Sequence, residues 1–210
     1  DAPSEVLDHL VAFASPILDA RGFEPNWLLN PVTMALFNEA FFHKQARGET
    51  LGVTGYTPYF FPLDAIRNWN RLYGSRGMLQ YQLVVPHDPE HRAIEDVLKR
   101  VSSSGMASFL AVIKEFGDDC HSGLSFPSPG VTLALDFPNV GDKLLTLLNE
   151  LDAVVLDAGG RIYLGKDARV SQDSFRKMYP QWETWREVRD RWDPKQVFQS
   201  ELGRRLGLVG

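Results

Sequence analysis

The segment Met78-Leu-Gln-Tyr-Gln-Leu-Val-Val-Pro86 decides the fold, because its residues alternate with a period of two. Leu79, Tyr81, Leu83 and Val85 fall on one face of a strand, and Gln80, Gln82 and Val84 fall on the other. A wholly apolar face asks for a covering layer, and the next segment supplies one. From Glu90 to Ser103 the period changes, and Ile94, Val97, Leu98 and Val101 form a helical stripe. Two further strands follow. Ser108 to Phe116 sets Phe109, Ala111 and Ile113 on one side, and Val131 to Phe137 sets Val131, Leu133, Leu135 and Phe137 on one side. A leucine-rich helix from Gly141 to about Ala158 ends at Gly159-Gly160, and a last strand is expected over Arg161 to Leu164. The order strand, helix, strand, strand, helix, strand predicts an α+β fold: a ferredoxin-like antiparallel sheet (βαββαβ) with helices on one face.

If both helices cover the apolar side, the opposite side of the sheet is fixed residue by residue. It carries Gln80, Gln82 and Val84; Ser108, Leu110, Val112 and Lys114; Thr132, Ala134 and Asp136; and Arg161 and Tyr163. This face is too apolar for plain solvation and too polar for a core, which points to a ligand pocket or a domain interface. The last strand enters the run Gly160-Arg-Ile-Tyr-Leu-Gly-Lys-Asp-Ala-Arg169 and delivers Tyr163 and Lys166 at a glycine-permitted turn. Taken alone, that run reads as a strand entering a surface loop with a solvated lysine, and the rest of the sequence shifts that reading.

Helical flanks are expected on either side. Residues 4–20 show helical spacing with Ser4 as cap and Pro16 expected to bend or end the helix, and a second helix follows Asn30-Pro31 with an aromatic face. Residues 45–59 carry Gly48, Gly52, Gly55 and Pro58 and read as a mobile loop or lid, leaving through Tyr59-Phe-Phe-Pro-Leu63. Beyond Asp167, helices are expected over Ser171 to Met178 and Trp182 to Trp192, with a final turn from Gln196 to Leu206. The expected organisation is N-terminal helices and loop over 1–58, a sheet domain over 59–164 and a C-terminal helical segment over 165–210.

Composition narrows the chemistry. At 210 residues with 44% apolar side chains the chain can bury a real core. A net charge of -5 offers no basic footprint for nucleic acid or an anionic membrane. Cys120 stands alone, so it forms no internal disulfide, and the five histidines show no zinc or nucleophile-elbow spacing. His87 and His91 are four apart at a helix start but lack a third ligand, so no metal is expected. No apolar run has transmembrane length, and a cytoplasmic location is the expectation. The chain opens at Asp1 and not at methionine, as expected of a piece of something longer.

Several ordered runs carry a resemblance. They are Phe61-Pro-Leu-Asp64, Trp69-Asn-Arg-Leu-Tyr-Gly74, Leu79-Gln-Tyr-Gln-Leu-Val-Val-Pro86 and Ser125-Phe-Pro-Ser-Pro-Gly130. Downstream come Gly160 to Arg169, Phe175-Arg-Lys-Met-Tyr-Pro180, Trp185-Arg-Glu-Val-Arg189, Asp193-Pro194, Val197-Phe-Gln-Ser200 and Arg204-Arg-Leu206. Together, from about Asn30 onward, they resemble the FAD-linked oxidoreductases of the vanillyl-alcohol oxidase superfamily, and within it the oxidases of polyprenyl-phospho-sugars. The resemblance implies that FAD is held mainly by a separate domain, and that this chain is the substrate-binding cap and C-terminal part. Carried over by position, Tyr163, Lys166 and Gln82 would contact the flavin, with Lys166 as the catalytic cation between flavin and substrate. Lys114, Leu110, Val112, Thr132, Ala134, Phe60 and Leu63 would line the substrate side. Mycobacterial members carry a cysteine where this chain has Ala134, so inhibitors that bond to that thiol should not react here. The glycine-rich segments that bind the FAD pyrophosphate in the superfamily have no counterpart here, so the implied partner is a flavin-binding domain or subunit. The implied reaction is oxidation of a secondary alcohol of a sugar or sugar-lipid. A different class stays open: a stand-alone, non-catalytic ferredoxin-like ligand-binding or assembly module, marked by homo-oligomer formation through the open sheet face.

Overall fold

Strand β3 (Met78–Val85) pairs along its whole length with β5 (Gly130–Pro138), antiparallel, in the register Leu79↔Phe137 through Val85↔Val131. A computed structural model of the chain describes residues 18–20, 30–44, 52, 55–61, 66–106, 110–118 and 123–209. By compactness it divides into one unit up to Gly77 and a second from Met78 to Gly210.

In the second unit, helix α3 (Arg92–Ser103) links β3 to β4 (Ala111–Phe116), and helix α4 (Asp142–Asp157) links β5 to β6 (Arg161–Ile162). The four strands lie in the order β4-β5-β3-β6, all neighbours antiparallel. This is the expected α+β, ferredoxin-like sheet. The alternation in β3 and β5 decides the layering, since Tyr81, Leu83, Val85, Leu133, Leu135 and Phe137 are buried beneath Ile94, Val97 and Val101 of α3 and Leu144, Leu148, Leu151 and Val155 of α4. Ile113 shares that face, opposite Leu133, but is 57% exposed because β4 is the edge strand. Residues 107–109, where β4 was expected to begin, lie outside the described residues.

Helix α4 stops as its sequence predicts. Gly159 takes φ 71, and the Gly159 and Gly160 amides donate to the carbonyls of Leu156 and Val155, closing the orphaned last turn. The chain then enters β6, which is shorter than the strand expected over Arg161 to Leu164. After Ile162, the Tyr163 amide still donates to Gln82 O at 2.8 Å, but Leu164–Lys166 form a 3-10 turn. Glycine suits position 165 of this turn, since a methyl group there would sit 2.8 Å from Cζ of Tyr163, whose ring occupies that space.

The C-terminal segment forms α5 (Gln172–Met178), α6 (Trp182–Trp192) and α7 (Glu201–Arg205). Ser171 and Ser200 cap the first and last of these through Ser174 N and Gly203 N. Val170, Phe175, Met178, Tyr179, Trp182, Leu206 and Leu208 join the core under the sheet, so this segment shares the sheet domain's interior.

The first unit is described by itself. Strand β1 (Leu18–Asp19) pairs in parallel with β2 (Ile66–Arg67), so the helix expected to run to Ala20 does not include its last residues; residues 4–17 lie outside the described residues. Helix α1 (Pro31–Lys44) starts where Asn30 Oδ1 accepts the amides of Val32 and Thr33 at 2.9 and 3.1 Å. Of its expected face, Met34 is buried, while Leu36, Phe37 and Phe42 are exposed. Where the expected loop leaves through its apolar exit, α2 (Tyr56–Phe60) forms instead, and Tyr56, Tyr59, Phe60 and Phe61 cluster edge to face on its surface. Residues 45–51 of that loop lie outside the described residues.

Candidate functional site

Strand register turns the open face into rows. Gln82 lies opposite Ala134, which lies opposite Val112; Val84 lies opposite Thr132, which lies opposite Lys114; Gln80 lies opposite Asp136, whose amide donates to Leu110 O. Paired residues of antiparallel neighbours project to the same side. Gln82, Thr132, Ala134, Val112, Leu110 and Lys114 therefore share one surface. Arg161 continues the Val84 row on β6, and Tyr163 follows it. Three strand spacings separate β4 from β6, roughly 14 Å. Lys114 thus stands at one rim, and Tyr163 and Lys166 stand at the other.

The face is hydrogen-bonded to itself. Gln82 Nε2 donates to Thr132 Oγ1 at 3.2 Å, Thr132 Oγ1 donates to Leu83 O at 2.7 Å, and Gln80 Nε2 donates to Asp136 Oδ1 at 3.0 Å. Thr132 and Asp136 are 1% and 3% exposed. Burial pushes the Asp136 carboxyl above its ordinary range, against the Gln80 hydrogen bond and the Lys166 charge, which both lower it. At the β6 rim, Phe126 packs between Phe116 and Tyr163, with ring centroids 5.8 and 4.8 Å away, and Arg161 Nη1 donates to Ser125 O at 3.0 Å. The Ser125–Gly130 run thereby closes one end of the face with an aromatic ring.

Lys166 is half-buried on its turn. Among the described residues its ammonium makes no hydrogen bond or ion pair, and neither does the Tyr163 hydroxyl; the Lys166 charge is felt at Asp136. An uncommitted cation beside an uncommitted phenol, with an aromatic ring stacked behind, fits an electron-rich heterocycle edge or an alkoxide oxygen. The arrangement has the donors to hold the ring end of a flavin.

Two further expected site residues, Phe60 and Leu63, belong to the first unit's stretch of sequence. Phe60 sits on α2 of the first unit with 60% exposure, and Leu63 lies outside the described residues. Two residues of the surface went unmarked as site residues in the sequence. Alternation puts Asp136 on this face, and a carboxylate within an apolar strand is the signal that could mark it; Phe126 has none, since no period covers residues 123–129. His87 Nε2 lies 3.6 Å from Glu115 Oε1, and among the described residues no three His, Cys, Asp or Glu side chains converge as a metal site. No helix of the described residues is long and apolar enough to cross a membrane.

In sequence the chain is similar to FAD-linked oxidases, an oxidoreductase flavoprotein class. In particular, residues 140–206 match the D-arabinono-1,4-lactone oxidase family. Over 208 residues, 99% of its length, the chain is 37% identical to the decaprenylphosphoryl-beta-D-ribose oxidase of Mycolicibacterium smegmatis, covering 45% of that protein. Over 146 residues, 70% of its length, it is 39% identical to an uncharacterized protein in the mprA 5′ region of Streptomyces coelicolor, covering 40% of it. The chain spans less than half the length of either relative.

Proposed function

We propose that this chain is the substrate-binding cap and C-terminal part of an FAD-dependent oxidoreductase that oxidises a secondary alcohol of a sugar or sugar-lipid, with the flavin held mainly by a domain or subunit outside this chain. The observation that carries this reading is the half-buried, uncommitted Lys166 ammonium at the β6 rim, beside Tyr163. FAD, when bound there, supplies the acceptor for the hydride. Lys166 would hold negative charge that develops on oxygen at the reacting centre, and Tyr163 would support the ring against Phe126. Gln82 spends its amide nitrogen on Thr132 and keeps its carbonyl oxygen for the ring edge.

The middle rows would receive the sugar, with Ala134 and Val112 as small apolar contacts and Leu110 further along. Lys114, exposed on the far rim, suits an anionic oxygen such as a phosphate. The Mycolicibacterium relative is named for a decaprenylphosphoryl sugar, and this supports a polyprenyl-phospho-sugar as the substrate class. Apart from its flavin partner the chain is expected to be inactive.

The test uses the chain joined to, or mixed with, a flavin-binding domain of a relative. Lys166→Ala should lower sugar oxidation by about 10²-fold, the scale for loss of one preorganised donor at a developing oxyanion, with flavin absorbance retained. Unchanged turnover would end the assignment of Lys166. Incubation of the 210-residue chain with FAD, followed by gel filtration, should leave no visible flavin band; a retained band would place the cofactor site within this chain.

A further inference from the structure

Lys166 is free at its tip, yet the peptide that carries it is fastened at Asp167, Arg169 and Val170. Asp167 Oδ1 accepts the amides of Arg169 and Val170 at 3.0 and 2.9 Å, and its Oδ2 accepts Arg205 Nη2 of α7 at 2.7 Å. The Asp167 side chain is only 3% exposed. Arg205 Nη1 also donates to Val170 O. Two residues further, Arg169 forks onto both oxygens of Asp152 in α4 at 2.9 and 2.6 Å and reaches Leu148 O at 3.0 Å. Tyr81 OH donates to the same Asp152 carboxylate at 3.0 Å from within β3. Burial first, and then the Asp152 charge, hold the Tyr81 hydroxyl well above its ordinary pKa, so it stays the donor.

These contacts converge on one short peptide. The apolar core already joins α5 and the residues after α7 to the sheet through Phe175, Leu206 and Leu208, so helix attachment does not need the ions. We propose that Asp167 and Arg205 are positioning residues: the C-terminal helix α7, through this ion pair, fixes the turn that presents Lys166, with Arg169–Asp152 as the second point of attachment. This rests on the proposed role of Lys166. Bidentate guanidinium pairs suit the task because their planar geometry sets direction as well as distance.

The experiment needs only the 210-residue chain. Arg205→Gln and Asp167→Asn are compared with wild type by amide hydrogen exchange, and by reaction of lysines with an N-hydroxysuccinimide ester read by mass spectrometry. The amides of Tyr163, Lys166 and Asp167 are bonded in the native turn, to Gln82 O, Tyr163 O and Leu164 O. Each variant should speed their exchange by about tenfold and raise labelling of Lys166 several-fold, while Lys114 and the amides of β5 keep their wild-type rates. Combining the variants should add less than the sum of the two, since both remove the Asp167–Arg205 pair. Arg205→Lys should fall between, because it keeps the charge and loses the fork. An unchanged turn, or a change shared equally by Lys114 and β5, overturns the proposal. With a flavin domain joined, kcat should fall and KM stay. If kcat holds although Lys166→Ala lowers it, the positioning role is wrong; if Lys166→Ala also leaves kcat intact, it is the role of Lys166 itself that fails.

Discussion

The two faces of the sheet come from the same strands and differ only in which alternate residues they show. One face carries Tyr81, Leu83, Leu133, Leu135 and Phe137 under two helices; the other carries Gln80, Gln82, Thr132 and Asp136 with Lys114 at its rim. Thr132 and Asp136 are nevertheless as inaccessible as the core leucines. Burial therefore does not separate the faces, and chemistry does. The covered face is held by apolar area, which is indifferent to direction. The open face is held by a short chain of directed hydrogen bonds, Gln82 to Thr132 to Leu83 and Gln80 to Asp136, which keeps polar groups at fixed places close to an uncommitted lysine. The first is a foundation and the second is a surface prepared for something polar.

The contrast breaks most visibly on stability. Leu133→Ala empties a fully buried site on the covered face and should cost about 2–5 kcal/mol in urea unfolding. Gln82→Leu on the next row of the open face removes one neutral hydrogen bond, with Thr132 still donating to Leu83 O, and should cost about 1 kcal/mol or less. Equal losses would show that the open face is a second core.

A pH experiment sharpens the same contrast. Because burial raises the Asp136 carboxyl above its unfolded value, the folded state binds its proton more tightly. Stability from this group is then greatest below the ordinary carboxylate pKa, declines as pH rises from there through the raised folded value, and is level above it. Asp136→Asn should remove that part of the decline, seen as a smaller fall in the urea midpoint between acid and neutral pH. The Lys166 cation opposes the shift, so Lys166→Met should carry the decline to higher pH. A wild-type profile that Asp136→Asn leaves unchanged would mean that the carboxylate is well solvated, and that the open face is wet.

Much of this architecture is legible in the sequence because alternation and helical stripes report burial directly. The faces of β3 and β5, the stop at Gly159-Gly160 and the succession of strands and helices along the sheet domain all follow from local pattern. The failures share a cause. β6 ends after Ile162, and the Tyr163 ring fills the space beside Gly165, which is a packing fact without a period. Leu18-Asp19 is a strand because residues 66–67 pair with it from far along the chain. Phe126 reaches Tyr163 from a loop rich in proline, serine and glycine, where no repeat marks which side chain turns inward. The ion pairs around Asp167 join positions 17 to 38 residues apart, so Asp167, Arg169 and Arg205 read from sequence as ordinary charges.

The smallest expected effect tests the order of the rows. Lys114 is exposed on the edge strand, opposite Thr132, and makes no hydrogen bond or ion pair among the described residues. Lys114→Ala should therefore change the urea midpoint by no more than about 0.5 kcal/mol. In the flavin-bearing form it should raise KM for an anionic sugar-lipid by about tenfold, the value of one exposed charge-assisted hydrogen bond, with kcat nearly unchanged. The reason is distance. Three strand spacings, roughly 14 Å, lie between β4 and the strand that leads to Lys166, so one small sugar cannot place its reacting carbon beside both lysines. A contact at the far rim is made equally in ground and transition states, and such a contact moves KM alone. Should Lys114→Ala lower kcat and spare KM, the reacting atoms would lie at the β4 rim, and the assignment of Lys166 as the catalytic cation would have to give way.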